Sequence, residues 1–382
     1  MSKQPSKKTA KVLIIALVFL PVLLVLIAGL FIWFDLTYTG DLSFYDKSKG
    51  SIEAVYTGTD GVLLELEDGR LYLSSTVHSF SNHRKFRNVK GLGQNPDLSI
   101  NQPVLIYEGG VERIIAFSPL EFLIIDEKGG LYRFCDLEIT HIVDGVIDAA
   151  IMRGAESSSS VWYVDTECTL HKIVGGEDEV VLNEIREIEI AENTVFCLNN
   201  SGVLGKIDEG GTGATFEPLM ENVRSFGAAR NSVLPKDGAP LSLNEHFVLS
   251  ALTDSNELYL YGTRSSSDLY AERGIVTKHD DWTLIASNVE KHSSCHQGVA
   301  YITMVGAVSY YGYDLCYMSS EFISREIIGG GAIEISLSYD CLTVNLDDGW
   351  KLYGQTVHNN DVEDSFLDHP LFWDKKELTP TE

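Results

Sequence analysis

No G-x-x-x-x-G-K, G-x-S-x-G or H-E-x-x-H occurs in this chain, so the familiar nucleotide-binding, hydrolase and zinc-protease signatures are absent. Its six cysteines (Cys135, Cys168, Cys197, Cys295, Cys316, Cys341) form no CxxC pair, which leaves a zinc ribbon or thioredoxin-type site without support. Basic residues are scarce: 29 Lys and Arg stand against 55 Asp and Glu. The resulting formal charge of -26 repels phosphate backbones and argues against a nucleic-acid partner. From Leu36 onward no amphipathic helix longer than two turns can be read, so helical and α/β folds are poor fits to the bulk of the chain. Wholesale disorder is excluded too, because 44% of the residues are hydrophobic.

One long apolar run is present. Val12 to Phe34 contains no charged residue and only Pro21 as a helix breaker. A helix of that length reaches about 34 Å at about 1.5 Å per residue, enough for a bilayer core, and a proline is tolerated inside a membrane helix. Lys3, Lys7, Lys8 and Lys11 precede the run, while Trp33 and Phe34 close it. The positive-inside rule then places the N-terminus in the cytoplasm. The run is longer than the apolar region of a cleaved signal peptide and lacks a clear small-residue cleavage site. The expectation is a short basic tail (1–11), a transmembrane helix (12–34) and an exterior domain, with the membrane as partner through residues 12–34. Removing the four lysines leaves the rest at -30 (-26 minus four). Exported cysteines could pair, but Cys197 and Cys341 lie in apolar patterns and read as small buried hydrophobes.

Beyond the anchor one signal recurs: an apolar run, a cluster of Asp, Asn, Ser or Gly, and a second run alternating with Leu and Tyr. This is a β-hairpin pattern. Copies lie at Val62–Leu73, Phe122–Arg133, Val161–Ile173, Val195–Leu204, Ala251–Gly262, Val299–Gly312 and Cys341–Gly354. Further strands precede the first five, at Ile52–Tyr56, Val111–Ala116, Val146–Ile151, Ile185–Ile190 and Val223–Phe226. With Leu71, Leu131, Leu170, Val203, Leu258, Val308 and Trp350 equivalent, the repeat averages about 46–47 residues, in the range of propellers and other arrays. Small sheets of this kind bury their faces on one another when packed radially. The fold expected is all-β: a seven-bladed β-propeller over residues 35–365, preceded by the one transmembrane helix and followed by a polar tail (366–382).

The later copies end Leu-Tyr-Gly, Tyr-Tyr-Gly and Leu-Tyr-Gly, and Ala251-Leu252-Thr253-Asp254 precedes the first of these. With Ala286–Lys291, these stretches resemble the regulator of chromosome condensation repeat, in which Tyr261 and Tyr353 stand where that family carries tryptophan. The resemblance implies a seven-bladed propeller whose loops bind protein. No functional residue transfers with it, and this acidic chain has no basic tail with which to grip chromatin.

Candidate chemistry is sparse. His292, Cys295 and His296 have metal-ligand chemistry at plausible spacing, but a structural zinc needs a fourth ligand. Asp68 and Asp348 precede glycines at hairpin turns, where turn chemistry accounts for them. Gly210-Gly211-Thr212-Gly213 lacks the lysine of a phosphate loop, His83–Arg87 is a basic island in an early loop, and Asn199-Asn200-Ser201 matches a glycosylation sequon. No catalytic, cofactor or metal residue is assigned and no cofactor is expected. The reading is a cell-membrane protein, propeller outside, that acts as a binding or scaffold module and not as an enzyme. A surface hydrolase or lyase and a sensor coupled to a membrane partner are the alternatives. Protein binding is expected at the long insertions Ser74–Leu105, Gly227–Glu245 and Gly262–Trp282, because loops on a rigid ring tolerate change.

Overall fold

The computed structural model describes residues 52–58, 61–75, 104–116, 121–135, 138–152, 159–191, 193–208, 213–230, 247–265, 276–313, 322–338, 341–346 and 349–354. The expected anchor at 12–34, the basic island at 83–87 and the tail 366–382 lie outside them. Among the described residues there is no helix. Twenty-seven strands form seven antiparallel sheets, taken here in chain order. Sheet one holds β1 (Ile52–Gly58), β2 (Gly61–Leu66), β3 (Arg70–Ser75) and β4 (Val104–Glu108). Sheet two holds β5 (Val111–Ile115), β6 (Glu121–Asp126), β7 (Leu131–Cys135) and β8 (Glu138–Val143). Sheet three runs through β9 (Val146–Met152), β10 (Ser160–Asp165), β11 (Leu170–Val174) and β12 (Glu177–Leu182). Sheet four comprises β13 (Ile185–Ala191), β14 (Thr194–Asn199), β15 (Leu204–Asp208) and β16 (Thr215–Met220). Sheet five comprises β17 (Val223–Arg230), β18 (Phe247–Thr253), β19 (Glu257–Ser265) and β20 (Val276–Ser287). Sheet six has β21 (Val289–Ser294), β22 (Gly298–Thr303), β23 (Val308–Tyr313) and β24 (Phe322–Ile328). The last, three-stranded among the described residues, has β25 (Ala332–Leu337), β26 (Cys341–Leu346) and β27 (Gly349–Gly354). The architecture is a β-propeller.

Each sheet carries the same irregularity near the start of its first strand, where one residue bulges out of register. The bulged residues are Glu53, Glu112, Ile147, Arg186, Arg224, Glu290 and Ile333. A bulge raises local twist, and twist is what fans successive sheets around an axis. A second bulge falls on every described fourth strand, at Ile106, Ile142, Val181, Leu219, Ile285 and Ile327. All six are aliphatic, and each packs, partly buried, against the core of its neighbourhood.

The core is a series of inter-sheet layers. Leu123, Ile125 and Leu131 of sheet two meet Val146, Ala149, Val161 and Tyr163 of sheet three. Trp162 and Val164 then meet Ile185, Ile188, Val195 and Cys197 of sheet four. Cys197 is fully buried, as its apolar surroundings predict, and burial pushes its thiol pKa up to about 12.

Backbone latches join the sheets. The residue closing each described turn between second and third strand has positive φ: Gly69, Gly129, Cys168, Gly202, Asn256 and Gly306. Its carbonyl accepts the N–H that opens or immediately precedes the next sheet's first strand, as in Val146 N to Gly129 O at 2.9 Å and Ile185 N to Cys168 O at 2.9 Å. The hairpin pattern and the first five inner strands match the sequence reading. Ala286–Lys291, part of the repeat resemblance, is the end of β20, a turn at Asn288 (φ +60°) and the start of β21. The fourth strands had no sequence counterpart.

Candidate functional site

Strand direction decides where each connection emerges. Strands alternate within a sheet, and the repeated latches hold all sheets in one orientation. Connections from first to second and from third to fourth strand therefore open on one mouth, and the remainder on the other. The long insertions fall between β3 and β4, between β17 and β18, and between β19 and β20. All three belong to the same mouth. The third is shorter than its sequence reading, because Gly262–Ser265 and Val276–Trp282 are strand. Among the described residues the opposite mouth carries only tight turns.

Those turns are closed by side-chain oxygens. Asp126 Oδ1 accepts from the N–H groups of Lys128 (3.0 Å) and Gly130 (2.7 Å), Asp165 Oδ1 from Glu167 and Thr169, and Asn199 Oδ1 from Ser201 and Val203. Thr253 and Thr303 Oγ1 fill the same role for Glu257 and Ala307. Asp68 instead accepts from the backbone N–H and Nε of Arg70, and that guanidinium lowers its carboxyl pKa. Turn chemistry accounts for this aspartate; Asp348 lies outside the described residues. Carboxylates close the turns of sheets two and three, an amide that of sheet four and hydroxyls those of sheets five and six.

The inner strands line the axis with charge that the hairpin reading passed over. Arg113 on β5 donates from Nη1 to Asp148 Oδ1 on β9 at 2.7 Å. Asp148 is 1% exposed and also accepts from Ala149 N (2.8 Å) and, across the sheet boundary, Ile188 N (2.8 Å). Burial pushes this carboxyl up, while Arg113 and the two amides pull it back. Asp148 in turn holds the guanidinium more firmly protonated. On β13, Glu187 and Glu189 occupy alternate positions. Burial, and then the charge of Asp148, pushes Glu187 up to about 7. Burial also raises Glu189 to about 7, against the Ala228 N–H that meets its Oε2 at 2.8 Å and the charge of Arg113. The one visible signal was Ile185-Arg186-Glu187-Ile188-Glu189-Ile190, where charges alternate inside a strand with aliphatic neighbours.

A network of hydroxyls around one imidazole continues around the axis. His292 Nε2 lies 3.1 Å from Ser250 Oγ and its Nδ1 lies 3.4 Å from Ser225 Oγ, while Ser250 Oγ donates to Ser294 Oγ at 2.8 Å. A serine beside a histidine invites a nucleophile–base reading. The second ring nitrogen faces another serine, and Ser250 is wholly buried, so this pair lacks the access that acyl transfer requires. His292 is on β21, whereas Cys295 and His296 are buried in the turn that follows it. Among the described residues no three His, Cys, Asp or Glu side chains are placed to hold a metal.

No protein-family model matches the chain, and no curated protein matches it by sequence. Solved structures do match. The crystal structure of human WBSCR16 has a TM-score of 0.51 at 9% identity, over 76% of this chain and 85% of that one. Yeast RCC1 (Prp20), solved bound to Kap60, has a TM-score of 0.45 at 12% identity, over 86% and 76%. The propeller domain of Cps50 (Swd1) from Myceliophteria thermophila has a TM-score of 0.49 at 10% identity, over 80% and 98%. At these identities a likeness speaks for fold alone, and the fold of this chain is a β-propeller.

Proposed function

We propose that this chain is a membrane-anchored scaffold: a seven-bladed propeller, displayed outside the cell, that binds protein through the mouth bearing its long insertions. The observation that carries the reading is the asymmetry of the two mouths. Insertions placed without function would scatter over both faces, since each doubling of loop length costs only about 0.6 kcal/mol. Here all three share one face. A seventh blade built on β25–β27 and closing the ring is supported by the packing of β25 and β26 against β1. The segments 1–11, 12–34, 35–365 and 366–382 then serve as cytoplasmic tail, anchor, propeller and tail. The later blades keep their resemblance to the regulator of chromosome condensation repeat through the Leu-Tyr-Gly, Tyr-Tyr-Gly and Leu-Tyr-Gly endings.

Two measurements test this. Full-length protein requires detergent, while a chain beginning at Leu36 is soluble and β-rich by circular dichroism; a soluble full-length protein sinks the anchor. Each of residues 76–103, 231–246 and 266–275 is also replaced by a Gly-Ser bridge. At least one replacement abolishes capture of a membrane or surface partner while the melting curve stays near the parent's. Capture that survives all three removes the loop mouth from the reading.

A further inference from the structure

The chain supplies its own controls for the tight-turn mouth. The two central residues of the turn between second and third strand are Glu67-Asp68, Glu127-Lys128, Thr166-Glu167, Asn200-Ser201 and Asp254-Ser255 in the first five sheets. In sheet six they are Met304-Val305. The fold does not call for this change: Thr303 closes that turn as Thr253 closes its own, and Met304 N donates to Asn288 O at 2.8 Å as Asp254 N does to Asn222 O. Both side chains point outward, Met304 at 55% and Val305 at 80% exposure.

A second departure lies beside the first. The bulged position at the start of the inner strand is charged in five of the seven sheets and apolar in β9 (Ile147) and β25, where it is Ile333, 50% exposed and next to the apolar turn. The turn and this strand are latched together, with Ala332 N donating to Gly306 O at 3.0 Å. Met304, Val305 and Ile333 therefore form one apolar knob at the junction of sheets six and seven. Exposed Glu290 and Glu334 flank it on the adjoining inner strands, and exposed Glu326 stands on β24. Two basic residues are near: Lys291, whose Nζ donates to Ile333 O at 3.0 Å, and exposed Arg325 beside Glu326, so three carboxylates face two cations.

We infer that this knob docks a protein whose apolar pocket is rimmed by lysine or arginine. Apolar groups that are exposed without a folding reason mark interaction sites, and an anchor residue inside a complementary charged rim is the usual anatomy of one. The acidic rim selects the occupant. A second copy would set like charge against like, and an anionic lipid surface would be repelled in the same way. The surface is on the mouth opposite the long insertions, so it stands or falls separately from the loop reading.

The test uses the full chain with 13C-methyl methionine, in which Met304 is one of five methionines. The probe is a synthetic peptide with a Leu-Phe core flanked by Lys and Arg. Controls carry Ser in place of the core or Glu in place of the basic flanks. The Met304 methyl resonance should shift with the basic apolar peptide alone, more weakly as salt rises. Val305→Asp should weaken that binding at least tenfold and leave the melting temperature unchanged. The inference is overturned if the Met304 methyl ignores the peptide, or if Val305→Asp binds like the parent. A response of that methyl to phosphatidylglycerol vesicles in place of the peptide, or to protein dilution, overturns it as well, in favour of a membrane or a second copy.

Discussion

Trp350 Nε1 donates to the carbonyl of Glu53 at 3.3 Å, a contact that joins positions 297 residues apart. It links the second hairpin strand of the last sheet to the bulge of the first inner strand, and Trp350 is 4% exposed. A ring is cooperative only while this seam is shut, because open sheet edges are unpaired. Trp350→Phe keeps most of the ring's volume and loses the donor, which should cost about 0.5–1.5 kcal/mol. Trp350→Ala also opens a cavity and should cost about 3–5 kcal/mol. Urea unfolding followed by tryptophan fluorescence and by circular dichroism checks this. Noncoincident curves in the Ala variant mean the seam carries cooperativity; two unaltered midpoints would show that it carries none.

Cys168 occupies a latch position where four of the other five residues are Gly and one is Asn, and its φ is +61°. The left-handed region costs an ordinary L-residue roughly 1–2 kcal/mol, against a smaller entropic cost for glycine of about 0.5–1 kcal/mol. Cys168→Gly should therefore stabilise the protein by roughly 0.5–1 kcal/mol. Differential scanning calorimetry decides, and a lower melting temperature would mean that the cysteine side chain earns its strained backbone by packing.

Much of this was legible in the sequence. Hairpins announced themselves because their turns need Asp, Asn and Gly and their flanks need apolar alternation. The outer strands did not. Glu177–Leu182 is exposed at four of its six residues and Thr215–Met220 at three of six, so only the apolar pair next to the turn carries a signal, too short to separate from a loop. Charged groups on the axis were obscured for a related reason. Arg113 and Asp148 become a pair only when two inner strands, 35 residues apart, are set side by side. His292, conspicuous as a possible ligand, turned out to be one member of a hydroxyl network.

Gly262 ends the first Leu-Tyr-Gly. Its φ is +99°, and a Cβ built there would lie 1.9 Å from Phe247 O on the paired strand. The obstacle is backbone, which cannot rotate away. Gly262→Ala should therefore destabilise by more than about 3 kcal/mol, in the class of overpacked and strained sites. Gly175→Ala is the control: its φ is +62° with nothing within 4 Å, so only the backbone term remains, at roughly 1 kcal/mol. Equal losses in chemical denaturation would show that strand contact adds nothing at Gly262.

The paired glutamates on β13 set a pH dependence. Burial raises Glu189 to about 7, above the ordinary 4.5. Below about pH 4.5 the group is neutral in both folded and unfolded chains and its contribution to stability is intact. As pH climbs toward 7 the unfolded chain ionises first, so stability is lost until the folded group ionises as well. Glu187, also raised to about 7, acts in the same direction and shares the loss. A different group sets the lower limit. Asp126 is held below its ordinary value, since the Gly130 and Lys128 amides and the Tyr107 hydroxyl outweigh its burial. Its contribution therefore disappears as pH falls through the low carboxylate range. Glu189→Gln keeps an oxygen for the Ala228 N–H and removes the titration. The variant should match the parent near about pH 5 and exceed it by about 1–2 kcal/mol near about pH 8, a figure reduced from the full shift because the glutamates share their environment. Urea midpoints measured across that range decide. A variant no more stable than the parent at the upper end would mean that Arg113 already neutralises Glu189, and the axis would then carry no proton-linked strain.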